Sequence, residues 1–200
     1  DDVRILTVGT VNFVVRFLFA GILLSTVVLY TRENDITLAL LSATGVSGVV
    51  MAVSVVFSSL TTIAVGRVSD GLSNRALLTI PALTTFAAGF VTLGLVPTVV
   101  GTAVGVALIG VGVGGTNPPL LAYLGDISPA SDLGKLGGVY NVFGDLGSTL
   151  GPLVALPVAA RVAVRTEYLG CVVLVALVAV LVGATLLGSN APEAAGCDAV

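Results

Sequence analysis

The sequence predicts an all-α membrane protein: six transmembrane helices built as two inverted three-helix repeats. Composition is the first ground. Charged residues make up 10% and hydrophobic residues 56% of the chain, whereas an ordinary soluble domain is about 25% charged. The second ground is run length. Several apolar runs reach the roughly 20 helical residues needed to cross about 30 Å of hydrocarbon. They do not alternate in polarity, as the strands of a membrane β-barrel must. The third is the placement of polar residues. They fall in the first, second, fourth and fifth spans, and the third and sixth are bland. Two triplets with a bland third member fit three-helix repeats of opposite topology, with the bland helices toward lipid and the polar ones lining a central path.

In chain order, the first span covers 5–30, with Arg16 near its middle and Asn12 about one turn earlier on the same face. The charged loop TRENDI follows. The second span, 38–65, is rich in Ser, Thr and Gly, which suits close helix packing. Residues 66–75, GRVSDGLSNR, form the most loop-like decapeptide. The third span, 76–95, is plain except for Pro81 and ends at a Val96-Pro97 turn. The fourth, 98–124, is Gly-rich and closes on Asn117-Pro118-Pro119. A polar loop at 126–135 leads to the fifth span, 136–160; a loop with two arginines at 161–167 leads to the sixth, 168–187. The bundle thus occupies 1–188, and 189–200 reads as a small, polar, flexible tail.

Several functions are excluded or left without ligands. The net charge is −3 with no basic run, so nothing points to nucleic acid. Cys171 and Cys197 have no partner spacing, so neither a disulfide framework nor a metal site is expected, and no cofactor is implied. Gly110, Gly112 and Gly115 spell G-x-G-x-x-G, but inside a span, where helix packing is the reading and a dinucleotide site is not. Six spans put both termini on one side. Arg4, Arg67, Arg75 and Lys135 fall on that side and Arg32, Arg161 and Arg165 on the other, a split too even to orient the chain. The chain has no initial Met and reads either as a fragment of a longer protein or as a half-size protein.

The fifth span carries the chemistry. Asp145 lies four residues after Asn141 and shares its helix face. Gly137, Tyr140, Asn141, Gly144, Asp145 and Ser148 make a small-and-polar stripe. Gly147 and Gly151 form a G-x-x-x-G that lets another helix approach closely, and Pro152 removes a backbone donor. Arg16 lies ~16 Å into its span and Asp145 ~14 Å from the same face, so both reach a similar depth. Each costs roughly 2.5–3.5 kcal/mol alone at mid-membrane, so they should pair or face a water-filled cavity. An acid that changes partner as a path opens and closes is a proton-coupling device; a static ion pair is the competing reading.

The connecting segments add a resemblance. Gly66, Asp70 and Arg75 fall where the loop motif of the major facilitator superfamily, G-x-x-x-D-[RK]-x-G-[RK]-[RK], places its Gly, Asp and last basic residue, while Gly71, Ser73 and Asn74 depart from it. YNVFGDLGSTLGP, residues 140–152, resembles the eleventh helix of such transporters, with Asn141 standing where relatives often carry Arg. Gly147, Gly151 and Pro152 also resemble the G-x-x-x-G-P antiporter motif. The chain resembles the C-terminal six-helix half of a major facilitator transporter along nearly its whole length.

The resemblance implies a secondary transporter, proton- or ion-coupled and leaning to efflux, that moves a small-molecule solute by rocking in the lipid bilayer against a missing N-terminal half or a second copy. It implies a multi-pass protein of the cell (plasma) membrane with cytoplasmic termini, a gating loop of Gly66, Asp70 and Arg75, helix packing at Gly147, Gly151 and Pro152, and no enzyme activity. The solute or proton pathway would use Asn12, Arg16, Asn117, Tyr140, Asn141 and Asp145. Two other classes stay open. Asp70-Gly71 through Arg75 is similar to the D-G-x-x-A-R start of membrane phosphotransferases that use CDP-alcohols, although 76–95 lacks their metal-binding aspartates. A non-transporting membrane scaffold is the other, and it has little use for Arg16 or Asp145.

Overall fold

The structure, a computed structural model, describes residues 2–36, 43–69, 75–127 and 132–187. These form six helical rods. α1 (Asp2–Arg16) continues through a π-helical segment (Phe17–Leu23) into α2 (Leu24–Glu33). α3 (Ala43–Ser69) follows, then a 3-10 turn (Arg75–Leu78) that leads into α4 (Thr79–Leu95). α5 (Val99–Asp126), α6 (Leu133–Ala159) and α7 (Val164–Val182) complete the set, with a π-helical end at Gly183–Leu187. Among the described residues five helices are long and apolar enough to cross a membrane: Val3–Glu33, Gly45–Ser69, Val99–Asp126, Leu133–Ala159 and Val164–Thr185. Thr79–Leu95 is apolar but shorter, 17 residues. At 1.5 Å per residue it reaches ~25 Å, and the 3-10 turn lengthens it.

Successive rods alternate in direction, so the 69–75 and 126–133 connections share one end of the bundle, here the proximal end. The 33–43, 95–99 and 159–164 connections share the distal end. The flexible tail expected at 189–200 lies outside the described residues, as does Asp70. The predicted loop at 161–167 is shorter than expected. α7 already begins at Val164, because the Glu33 carboxylate accepts its N–H at 3.0 Å and so satisfies a first-turn donor that has no intrahelical partner.

Glycine sets the packing. α5 is sandwiched between α3 and α4, and its glycines divide between them. A Cβ on Gly110 would lie 2.5 Å from Ser54 O and one on Gly114 would collide with Ser58 O, both on α3. A Cβ on Gly112 would lie 2.5 Å from Phe86 Cβ and one on Gly115 3.0 Å from Ala82 Cβ, both on α4. The G-x-G-x-x-G run is therefore a two-sided helix contact. Pro118 and Pro119 lie within α5 and withhold the N–H groups that would reach Gly114 O and Gly115 O. The Thr62 hydroxyl, from α3, shares its one proton between Ser58 O at 2.8 Å and Gly114 O at 3.2 Å and so replaces one of them in part, as hydroxyls do around membrane-helix prolines.

The third and sixth spans, expected to face lipid, each bury one face against other helices. α4 and α7 pack against each other and each buries a stripe: Thr79, Leu83, Phe86, Phe90 and Leu93 on α4; Tyr168, Cys171, Val175, Val178 and Val182 on α7. Phe86 and Phe90 meet edge to face with ring centres 5.2 Å apart, and Phe90 lies 5.8 Å from Tyr168. Conversely α3, expected to line a path, leaves Val55, Val56, Leu60 and Ile63 exposed. Its Ser54 and Ser58 serve the contact with α5.

Candidate functional site

α1 and α6 run parallel, and small residues bring them together. A Cβ on Gly147 would strike Phe13 O, and one on Gly21 would lie 2.5 Å from Gly151 Cα. Gly21 belongs to the π-helical segment. The i→i+5 hydrogen bonding of that segment widens the turn where the two glycine backbones meet. Gly147 and Gly151 thus sit at the closest approach of the two helices, with half-buried Pro152 beside them.

Toward the proximal end the same seam turns polar. Asn12, 2% exposed, donates from Nδ2 to Tyr140 O at 2.6 Å. The Tyr140 hydroxyl donates to Asn117 Oδ1 at 2.8 Å. Tyr140 therefore ties α1 to α5 through α6. The bond from Nδ2 fixes the Asn12 amide orientation, since only the nitrogen donates. Asn12 Oδ1 is then left buried without a hydrogen-bond partner. An orphaned buried acceptor costs about 1–3 kcal/mol, and it is an open seat for a donor.

Above this cluster, Arg16, Asn141 and Asp145 are exposed on the surface of the unit. Asp145 sits one residue from the middle of α6. The Arg16 stem lies over Gly144, where a Cβ would be 3.4 Å from Arg16 Cγ and 2.8 Å from Asn12 Nδ2. Of the two expected arrangements for Arg16 and Asp145, a mutual pair or a water-filled cavity, the pair is not made: the ion pairs among the described residues are Arg75–Asp126 and Lys135–Asp132. Asp145 projects from α6 next to Gly144, and the Arg16 chain is laid along that glycine instead. Two charges and an amide at mid-helix depth cannot be left to hydrocarbon, so this face belongs to water or to protein.

The proximal connections hold a second polar contact. Arg75 Nε lies 3.3 Å from Asp126 Oδ2, which joins the start of α4 to the end of α5. The expected gating set of Gly66, Asp70 and Arg75 is thus only partly placed. Gly66 lies on α3 with open space where a Cβ would go, Asp70 is outside the described residues, and Arg75 meets Asp126. Sequence reading put the 66–75 and 126–135 loops on one side, and that was the signal from which this pair was reachable. At the distal end, Arg165 Nε donates to Gly94 O at 2.9 Å and the Tyr30 hydroxyl to Leu93 O at 2.8 Å, both capping α4.

No curated protein gives a match to the sequence. The sequence pattern of one family spans residues 6–198, nearly every helix described above, and on that match the chain belongs to the Major Facilitator Superfamily, whose members are membrane transporters and not enzymes.

Proposed function

We propose that the chain is one six-helix half of a secondary transporter in the cell membrane, and that it moves a small solute by rocking against a second six-helix unit. That unit is an N-terminal half or a second copy of this chain. The polar cluster of Asn12, Asn117 and Tyr140 beneath exposed Arg16, Asn141 and Asp145 is the observation that carries this reading. Charge exposed at mid-depth costs roughly 2.5–3.5 kcal/mol per residue toward lipid, whereas a shared aqueous path removes that cost. A second six-helix unit placed against this exposed face would enclose such a path between the two.

In this reading Asp145 is the coupling carboxylate. It has no ion-pair partner among the described residues, so a proton or a cationic solute can take its charge in one state of the cycle. Asn12 Oδ1 and Arg16 offer an acceptor and a donor set to a polar solute. Gly147, Gly151 and Pro152 form the pivot against the π-helical segment. Termini and proximal loops are cytoplasmic, with Arg75–Asp126 as a gate contact. Efflux is the favoured direction, on the G-x-x-x-G-P run at 147–152. The test is transport in proteoliposomes: solutes that collapse an imposed pH gradient through the wild-type protein should fail to do so through Asp145→Asn, and unchanged gradient collapse would refute the coupling role. Mass measurement of the native assembly identifies the second unit.

A further inference from the structure

A buried carboxylate lies away from this path, at the distal seam between α2 and α7. Glu167, in the first turn of α7, is 8% exposed, and its Oε2 is buried without a hydrogen-bond partner. The like charge on α2 is Glu33, exposed at the helix end, whose Oε2 accepts the Val164 N–H. α4 carries no acidic, basic, Tyr or Cys side chain, and those of α6 are Lys135 and Tyr140, toward the proximal end, and Asp145 at its middle. Within α7, Cys171 lies four residues on, on the same helix face, and Tyr168 is the next residue in the chain. The Tyr168 hydroxyl meets Thr26 Oγ1 at 3.1 Å. Arg165 is turned to Gly94 O. Tyr30 is spent on Leu93 O, and Arg32 and Arg161 are exposed. Arg4 and Arg16 of α1 belong to the proximal half. No cation pairs with Glu167 among the described residues.

We propose that Glu167 is a proton-binding site that fastens α2 to α7 at the distal end of the bundle. With a proton, the neutral carboxyl fits its seat beside Glu33 and leaves Glu33 free to cap α7. When the proton leaves to water, the carboxylate sets a second negative charge against Glu33 with no cation between them. An unpaired buried charge is costlier than a neutral group, and the like charge of exposed Glu33 adds to that cost. The release of strain is loss of the Glu33–Val164 cap and opening of the seam. A metal cation is disfavoured as the occupant, since no third acidic, His or Cys ligand joins the two among the described residues. The site acts apart from Asp145 and does not depend on the coupling role given to it.

Infrared titration of the purified full-length protein in lipid bilayers tests this. The wild type should show a protonated-carboxyl stretching band at neutral pH that disappears in Glu167→Gln and persists in Asp145→Asn. A spectrum unchanged by Glu167→Gln overturns the proposal, and so does a band that appears only when sodium and potassium are withdrawn, which would mark a cation site. A second readout uses Cys171, one turn deeper. The background for this readout has Cys197 and any other cysteine of the protein replaced by Ala, which leaves Cys171 as the sole thiol. Its alkylation rate relative to that in Glu167→Gln should rise severalfold from acid to alkaline pH; a constant ratio overturns the lock.

Discussion

The Tyr140 hydroxyl donates to Asn117 Oδ1 at 2.8 Å, while the carbonyl of the same tyrosine accepts from Asn12 at 2.6 Å. One residue of α6 thereby couples α5 to α1. Substitution of Tyr140 by Phe removes the first bond and keeps the second. Interhelical bonds in membranes average about 0.6 kcal/mol and reach about 1.7, so Tyr140→Phe should destabilise the bundle by ~1 kcal/mol. Asn117→Ala on top of it should add little, because the two act on one bond. Chemical denaturation in detergent of the two single variants and the double measures that coupling.

The crossing of α1 and α6 leaves no room at Gly151 or Gly21. Gly151→Ala should push the helices apart and cost about 1–3 kcal/mol, the usual range for overpacking. Gly170→Ala is the control. It lies within α7 with nothing within 4 Å of its Cβ, so the better helix propensity of Ala should stabilise by up to ~1 kcal/mol. Thermal unfolding of the two variants should therefore shift in opposite directions.

Thr62, whose hydroxyl proton is shared between Ser58 O and Gly114 O, answers in part for the donor that Pro118 withholds. Thr62→Val keeps the shape and leaves Gly114 O short of a partner, so a loss of about 0.5–1.5 kcal/mol is expected. In a Pro118→Ala background the N–H of residue 118 is restored, and the same Thr62→Val change should cost less. Comparing the two backgrounds by denaturation checks the compensation.

Arg75 and Asp126 are 28% and 54% exposed in their side chains, so the pair should add no more than about 1 kcal/mol and weaken with salt. Its effect should fall on gating. Arg75→Glu should slow transport, and the double exchange Arg75→Glu with Asp126→Arg should recover much of it. Transport rates of the four proteins at low and high salt test this.

Much of the architecture was legible because membrane helices declare themselves by length and apolarity, and the four polar spans were found through single residues such as Arg16, Asn117 and Asp145. Asn12, Asn117 and Tyr140 come from three spans, yet each stood out as an amide or hydroxyl in apolar surroundings. Other features depend on relations that a linear reading does not contain. Arg16 and Asp145 are both exposed yet form no ion pair, and the Arg16 stem lies over Gly144. The bland third and sixth spans bury a stripe against each other because aromatic side chains such as Phe86, Phe90 and Tyr168 need a partner. Glu167 looked like a loop residue because the cap that starts α7 at Val164 comes from Glu33, more than a hundred residues earlier.

Proton-coupled transport through Asp145 is tested most directly by two assays on one reconstituted variant. Asp145→Asn should abolish solute movement driven by a pH gradient while solute exchange without a gradient persists. Gradient-driven movement at the wild-type rate through Asp145→Asn would contradict the assignment of Asp145 as the coupling carboxylate.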